Sequence, residues 1–233
     1  MKKIIALLFT MLFAASVANA QMFNIQEISE RLTTGVTIHN DFWQKMPDTV
    51  KNRAINQGFE VFTHYHFKMT KSGSIAFFLG ASISSHNLFL KNAGFGYNSE
   101  KEPYMYNIPE KIGEIETNVK KSKLSFTYID IPLGFNFKIK KDFHATAGFS
   151  IGWNIQSLYK YKGKSLEDLS RNIKYKNLKL EHTNNMRYGP FIILGYKGIG
   201  LKAAYQLVPS FQENKGLDIY PISLGIVFKP YYN

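Results

Sequence analysis

The sequence predicts an all-β protein, an eight-stranded antiparallel up-and-down transmembrane β-barrel with short periplasmic turns and long extracellular loops. Three observations predict this fold: side chains alternate in polarity with a period of two, short and long connections alternate along the chain, and charged residues concentrate in the connections. The 233 residues are 45% hydrophobic and include no cysteine. The apolar content excludes a disordered chain. The absence of cysteine excludes disulfides, thiolate metal sites and cysteine nucleophiles.

The first twenty residues have the layout of a secretory signal peptide. Two lysines precede an apolar run at residues 4–13, and small residues close the segment at Ala20. The run is shorter than the roughly 20 residues that cross a bilayer as a helix, so cleavage after Ala20 is expected. An uncleaved anchor is the alternative. The expected organisation is a signal peptide at residues 1–20, an N-terminal periplasmic segment at 21–32 and a barrel domain at 33–233.

The clearest predicted strand covers residues 143–156. Bulky apolar side chains fill most of its odd positions and small neutral ones most of its even positions. A period of two over fourteen residues is typical of a strand and excludes a helix. The segment at residues 128–139 repeats the pattern. Six further strands are predicted, the first of them the weakest, at residues 35–42, 59–69, 75–83, 188–196, 199–207 and 220–228.

The connections alternate strictly in length. Short turns are predicted around residues 71–73, 140–142 and 197–198, and they indicate β-hairpins, the last with Gly198 available for a positive φ. The four remaining connections are long, at residues 43–58, 91–122, 160–187 and 208–216. An up-and-down barrel with short turns at one rim and long loops at the other produces this order.

The charge distribution favours a barrel whose bulky face points at lipid. The even face of residues 143–156 carries no Asp, Glu, Lys or Arg, whereas an exposed strand face of a soluble protein usually carries charges. The small even face suits the narrow lumen of eight strands. A soluble lipocalin-like barrel with its apolar face inside is the alternative. The charges lie in the long connections, for example at Lys160, Lys162, Lys164, Arg171, Lys174, Lys176 and Lys179.

Aromatic residues near the ends of the strands predict girdles at the two membrane interfaces. High β-propensity of Tyr and Phe is the alternative explanation. The residues are Phe67, Phe137, Phe143, Tyr196 and Phe228 at the short-turn end, and Phe59, Tyr128, Tyr159, Tyr188 and Tyr220 at the long-loop end, with Tyr128 on the opposite face by strict alternation.

Several short segments resemble a family of Bacteroidota outer-membrane β-barrels, the PorT-like group. The main one is Tyr128-Ile129-Asp130-Ile131-Pro132-Leu133, preceded by Ser122-Lys123-Leu124; the others are Ser85-His86-Asn87, Tyr159-Lys160-Tyr161-Lys162, Arg187-Tyr188-Gly189, Tyr205-Gln206-Leu207 and Pro221-Ile222-Ser223-Leu224-Gly225-Ile226. The resemblance covers residues 35–229 and implies an eight-stranded outer-membrane barrel. The family's named founder is linked to protein secretion, and no motif here specifically transfers that role.

Strict alternation predicts a polar network in the lumen. Buried charges in a narrow lumen must pair or form hydrogen bonds, so an internal salt-bridge network is the main hypothesis. A metal site on His64 and His66 is the alternative, because a spacing of two places both imidazoles on one face. The predicted lumen residues are Glu60, His64, His66, Asp130, Lys138, His144 and Lys202.

Two further candidates come from single positions. Pro132 cannot donate a ladder hydrogen bond, so with Gly134 it predicts a local kink in the barrel wall, with a ligand approaching the gap as the alternative. Ser84 and His86 share a strand face, so a Ser–His couple of a lipid-modifying enzyme is conceivable. That couple lacks an identified acidic partner and oxyanion donors.

The leading functional hypothesis is an integral protein of the bacterial outer membrane with a structural, assembly or surface-binding role, without catalysis, cofactor or wide pore. The alternatives are a lipid A- or lipopolysaccharide-modifying enzyme and a soluble periplasmic barrel that binds an apolar ligand. The expected partners are outer-membrane lipids, lipopolysaccharide phosphates facing the basic loops, and the outer-membrane assembly machinery. Nucleic acid is not expected, since an exported barrel has little access to it. The connection at residues 91–122 is nearly balanced in charge and resembles a recognition or lid segment.

Overall fold

A computed structural model describes residues 30–140 and 142–229. The expected signal peptide, most of the expected periplasmic segment and Lys141 in a predicted turn lie outside these residues. Within them, eight antiparallel strands form a closed barrel in which every strand pairs with its sequence neighbour and β1 pairs with β8. The barrel strands are β1 Leu32–Gln44, β2 Gln57–Lys68, β3 Ile75–Lys91, β4 Lys121–Lys138, β5 Phe143–Lys164, β6 Met186–Tyr196, β7 Ile199–Tyr205 and β8 Tyr220–Phe228.

The closed ladder confirms the predicted fold class. Closure leaves the barrel wall without a sheet edge, so its strands can satisfy backbone donors and acceptors between them, as a hydrocarbon environment requires. The short turns, the start of β1 and the end of β8 lie at one rim, the short-turn rim, and the long connections lie at the other, the long-loop rim. In the described part of the chain, no helix is both long and apolar enough to cross a lipid bilayer.

The outer surface of the barrel is an apolar belt, as predicted. Ile131 and Phe135 on β4 and Trp153 on β5 are 38–43% exposed. Asp130 and Pro132, on either side of Ile131, face inward and are buried. At the short-turn rim, all five expected aromatic residues are exposed on the outside, at 37–52% of their surface. This belt matches a barrel whose wall contacts lipid.

The turn between β6 and β7 differs from its prediction in one detail. Lys197, rather than Gly198, adopts the positive φ, at 52°. Gly198 is needed for space, because a Cβ there would lie 2.5 Å from the backbone oxygen of Lys229. The backbone N–H of Lys229 donates to the Gly198 oxygen at 2.7 Å. The glycine therefore allows the chain beyond β8 to pack against the turn.

Three barrel strands extend well beyond their predicted ends. Strands β3, β4 and β5 contain 17, 18 and 22 residues and rise above the long-loop rim. Together with the long connections they form the cap, which we define as residues 45–56, 88–124, 158–185 and 206–219. The cap also contains short strands, at Lys51–Asn52, Ala93–Tyr97, Pro103–Asn107, Lys111–Ile112, Ile115–Glu116 and Asn172–Asn177.

A hydrophobic core holds the cap together over the upper lumen. Phe126 of β4, Leu88 of β3 and Phe211 of the last long connection are fully buried and belong to one cluster. Phe95, from the predicted recognition segment, packs with its ring centroid 5.8 Å from that of Phe211. Burial of a large apolar side chain stabilises a fold by about 1.5–3 kcal/mol. Because their apolar side chains share this core, the long connections form a packed unit.

A β-bulge on β5 explains one wrong prediction. Asn154 pairs with Tyr128 and Gln156 pairs with Thr127, which leaves Ile155 as an extra residue. An extra residue reverses the alternation beyond the bulge. Tyr159 is therefore buried in the cap core at 3% exposure instead of joining the outer girdle, and Tyr128 is buried at 1%. Phe59 and Tyr188 remain exposed outside at this rim, and Tyr220 is partly exposed.

The lumen contains bulky apolar side chains as well as small ones, contrary to the expectation that small neutral residues fill it. Phe62 and Phe78 lie at 3% and 0% exposure on the inner faces of β2 and β3. They form a buried cluster with Phe191, Ile193 and Val227. This cluster, which we call the lumen plug, fills the middle of the barrel.

Candidate functional site

The upper lumen is built around an ion pair between Asp130 on β4 and Arg187 on β6. Arg187 donates from Nε to Asp130 Oδ1 at 2.8 Å and from Nη2 to Oδ2 at 2.9 Å. Strand β5 separates these two strands, and Gly152 on β5 is the direct partner of both residues. A Cβ on Gly152 would overlap the Asp130 carboxylate. The glycine therefore provides the space through which the two side chains meet.

Ser84 completes this half of the site. Its hydroxyl donates to Asp130 Oδ2 at 2.6 Å and accepts from Arg187 Nη2 at 2.7 Å.

Pro132, two residues from Asp130, faces the lumen. The hydrogen-bond ladder between β3 and β4 is interrupted opposite Pro132 without a change of register. The barrel wall therefore has no β-bulge between β3 and β4 at Pro132. Because proline has no backbone N–H to donate, its presence accounts for the interruption.

Arg187 also links Asp130 to a second carboxylate, that of Asp41 on β1. The Nη1 group of Arg187 lies 2.6 Å from His86 Nε2. Arginine only donates, so Nε2 must accept and the ring hydrogen must reside on Nδ1. His86 Nδ1 then donates to Asp41 Oδ1 at 3.0 Å. Asp41, which is completely buried, also accepts from the Ser223 hydroxyl at 2.6 Å.

The Arg187 guanidinium is enclosed on its face as well as along its edge. Its central carbon lies 4.3 Å above the ring centroid of Tyr128, a distance at which a cation–π interaction is favourable. We call the group formed by Asp41, Ser84, His86, Asp130 and Arg187 the arginine cluster. Arg187 compensates the charge of Asp130, and the second carboxylate, Asp41, accepts hydrogen bonds from His86 and Ser223. Pairing and hydrogen bonding are how buried ionic groups reduce their desolvation cost.

Below the arginine cluster, the predicted lumen residues form separate contacts. Lys202 on β7 donates to Glu60 on β2 and lies 4.7 Å from the Phe191 ring. His64 stacks between Phe62 and Phe78, with both centroid distances 4.5 Å. These contacts join the lower polar residues to the lumen plug.

The remaining predicted residues lie toward the short-turn rim. His144 is buried, and its Nε2 lies 3.2 Å from Lys229 Nζ. His66 is partly buried, whereas Lys138 is exposed at the mouth of the barrel. The predicted set is therefore divided among the arginine cluster, the middle of the lumen and the rim, rather than forming one network.

Among the described residues, the group with metal-ligand chemistry is His39, Asp41 and His86, whose ligand atoms lie within 4.8 Å of one another. His39 Nε2 lies 3.5 Å from Asp41 Oδ1. The hydrogen on His86 Nδ1, required by the contact with Arg187, occupies the position that a metal would need. The arrangement thus favours hydrogen bonding. His64 and His66, with ring centroids 6.3 Å apart, are not part of this group.

The geometry also bears on the Ser84–His86 couple. The Ser84 hydroxyl hydrogen is donated to Asp130, and Arg187 occupies the lone pair of His86 Nε2. A nucleophilic serine needs a histidine lone pair that can accept its proton. Arg187 stands between the two side chains, so this arrangement does not activate Ser84.

The lumen leaves little open space around the arginine cluster. A cavity of about 50 Å³ lies beside His39, Glu60, Arg187 and Lys202. That volume suits one or a few water molecules. The arginine cluster and the lumen plug both occupy the interior of the described barrel.

Sequence reasoning missed His39, Asp41, His86 and Arg187 as lumen network residues. Arg187 was assigned to a long connection, and His39 and Asp41 lie in the strand with the weakest pattern. The sequence nevertheless contained a signal for this network. Four of the segments that resemble the PorT-like group each contribute one residue to it: Asp130, His86, Arg187 and Ser223. Three of these residues belong to the arginine cluster, and Ser223 contacts it through its hydrogen bond to Asp41.

A family model and several solved structures are similar to this chain. The family model of the outer membrane protein beta-barrel domain matches residues 19–217. No curated protein matches the sequence. Among solved structures, Ail, the attachment invasion locus protein of Yersinia pestis, in complex with the heparin analogue sucrose octasulfate, is 12% identical with a TM-score of 0.35, over 85% of this chain and 96% of that chain.

Two other structures show similar coverage. Ail of Yersinia pestis in a phospholipid bilayer nanodisc is 14% identical with a TM-score of 0.33, over 84% of this chain and 98% of that chain. A mutant porin of Rh. blastica is 6% identical with a TM-score of 0.20, over 85% and 99%. The family match, together with the closed barrel and its apolar belt, locates the protein in the bacterial outer membrane, and the chain belongs to the outer membrane protein beta-barrel domain family.

Proposed function

We propose that this protein is a non-catalytic outer-membrane barrel with a sealed lumen, whose folded cap provides a surface for binding at the cell exterior. The observation that carries the proposal is the filled lumen, in which the arginine cluster and the lumen plug lie one above the other. Eight strands enclose an interior that side chains can fill. A sealed barrel leaves its outer wall and its cap as the surfaces available for function.

The cap supports a binding role because its long connections are packed. A binding surface made of ordered segments loses less conformational entropy on association than a surface of free loops. The arginine cluster supports the absence of catalysis, since its serine and histidine are engaged by Arg187. The polar groups of the upper lumen therefore have a structural role in this proposal.

We also infer that the protein belongs with the PorT-like barrels of Bacteroidota. What supports this narrower placement is that resembling segments distant in sequence contact one another through Asp130, His86 and Arg187. A shared lumen network would give those short motifs a common structural reason. A secretion role does not follow from these residues.

Planar bilayer recording tests the sealed lumen. We expect the purified full chain to insert without conductance steps of general-porin size, because no wide path crosses the lumen plug. A general porin inserted into the same membrane serves as the positive control. Stable openings of porin size by this protein, at several salt concentrations, would contradict the proposal.

A further inference from the structure

The outer face of the cap carries an array of directly opposed lysines. Strands β4, β5 and Asn172–Asn177 lie side by side, and Lys160 of β5 is the direct partner of both Lys123 and Lys176. Two residues further on, Lys162 is the direct partner of both Lys121 and Lys174. We call these six residues the lysine face. With about 4.8 Å between strands and about 6.7 Å between alternate residues, their Cα atoms occupy a patch of roughly 10 by 7 Å.

The array extends onto the neighbouring strand. Phe89 of β3 is the direct partner of Lys123, so Lys91, two residues later, lies on the same face. Lys91 in turn is directly opposite Lys51 of the short strand Lys51–Asn52. Both are exposed. The positive surface therefore continues across the adjoining strands of the cap.

The lysine face lacks internal neutralisation. In residues 30–140 and 142–229, none of its six members forms an ion pair with a carboxylate. Lys123 donates to the side-chain oxygen of Asn87 at 2.7 Å, a neutral partner. Like charges directly opposite on neighbouring strands destabilise a sheet. A bound polyanion would relieve this repulsion.

The orientation of the lysine face indicates where a bound polyanion would lie. Lys123 is on the same outward face of β4 as Ile129 and Ile131, which belong to the apolar belt. Six residues separate Lys123 from Ile129, about 20 Å along a strand and about 15 Å in height at a tilt near 40°. The lysines therefore stand above the belt, about 15 Å higher than Ile129, and point sideways over the surrounding leaflet.

We propose that the lysine face binds phosphate groups of the lipopolysaccharide that surrounds the barrel in the outer leaflet. The inference rests on the proposed function in that it identifies the partner of the cap as a membrane component. Phosphates of lipopolysaccharide lie beside the wall on the outer side of the acyl chains, the side of the belt from which the lysine side chains project. A soluble polyanion would be met more readily by a surface on top of the cap.

The test compares two triple variants in phosphatidylcholine nanodiscs. The first changes Lys160→Gln, Lys162→Gln and Lys176→Gln in the lysine face. The matched control changes Lys101→Gln, Lys111→Gln and Lys215→Gln, three exposed lysines outside the face. Both lose three positive charges, so long-range attraction falls equally. The probes are bis-phosphorylated lipid A, dephosphorylated lipid A and heparin.

We expect the dissociation constant for bis-phosphorylated lipid A to rise at least tenfold in the lysine-face variant and less than twofold in the control. Dephosphorylated lipid A should bind wild type at least tenfold more weakly. Equal weakening in both variants would overturn the proposal, as would a lysine-face variant that loses heparin binding while retaining lipid A.

Two controls separate this proposal from other failures. Heat-dependent mobility on gels establishes that both variants are folded, and removal of opposed like charges should leave the unfolding midpoint unchanged or raised. The bilayer recording tests the sealed lumen and does not depend on these lysines. A non-conducting barrel without preference for phosphorylated lipid A would therefore contradict this inference and leave the proposal of a sealed lumen intact.

Discussion

Replacement of Arg187 by leucine should lower the free energy of unfolding by about 3–5 kcal/mol, the usual cost of leaving one partner of a buried ion pair alone. Asp130 would remain fully buried without its cation, and His86 Nε2 would lose the hydrogen bond that it accepts from Arg187. The measurement is equilibrium unfolding in urea, in detergent micelles or lipid vesicles, followed by tryptophan fluorescence and gel mobility.

The control for this prediction is the same substitution at Arg171, which is exposed in a cap connection. We expect Arg171→Leu to change the free energy by less than about 0.5 kcal/mol. The double variant Asp130→Leu with Arg187→Leu removes both charges and should recover part of the loss. A loss below 1 kcal/mol in Arg187→Leu would show that the arginine cluster does not hold the barrel together.

Gly152→Ala should destabilise the barrel by about 1–3 kcal/mol although it adds a single methyl group. The new Cβ would overlap the Asp130 carboxylate and lie 3.1 Å from Arg187 Nε. The ion pair would have to shift, and its hydrogen bonds at 2.8 and 2.9 Å would lengthen. The same unfolding measurement gives the change.

Gly96→Ala provides the matched control within a strand of the cap. Its Cβ would meet Tyr104 at 3.6 Å, an ordinary contact. Since alanine reduces the entropy of the unfolded chain, this variant should be neutral or more stable by about 0.4–1 kcal/mol. In an Asp130→Ala background the cost of Gly152→Ala should largely disappear; equal costs in both backgrounds would refute the steric explanation.

The barrel itself could be predicted from the sequence because two independent patterns agree. Residues 143–155 alternate between bulky and small side chains, and the short turns recur after every second strand. The pattern fails where both faces of a strand are apolar. On β6, Phe191 and Ile193 point inward while Ile192 and Leu194 point outward, and alternation of polarity gives no indication that they form part of the lumen plug.

The cap was beyond prediction for a different reason. Above the apolar belt, the inner face of the extended strands packs against loops from distant parts of the chain, and such contacts are not encoded in a local period. The bulge at Ile155 adds a further obstacle, because one extra residue exchanged the faces of Tyr159 and Lys160. The lysine face could not be recognised until that exchange and the register were known.

The candidate site was predicted in part. Glu60, Asp130 and Lys202 lie in the lumen with charged partners, as alternation and the cost of buried charge indicate. Arg187 was missed because it lies at the start of β6, one residue before the predicted strand. Asp41 was missed because polar inward residues weaken the hydrophobic pattern of β1.

The bulky face of the barrel wall contacts lipid, while the opposite face lines a filled lumen. Because the chain has no cysteine, single cysteines carrying nitroxide labels can be introduced one at a time at residues 145–151 and studied in lipid vesicles. We expect lipid-dissolved oxygen to relax labels at positions 145, 147, 149 and 151, whereas labels at 146, 148 and 150 should be protected. Oxygen accessibility at the even positions, with protected odd positions, would contradict this orientation.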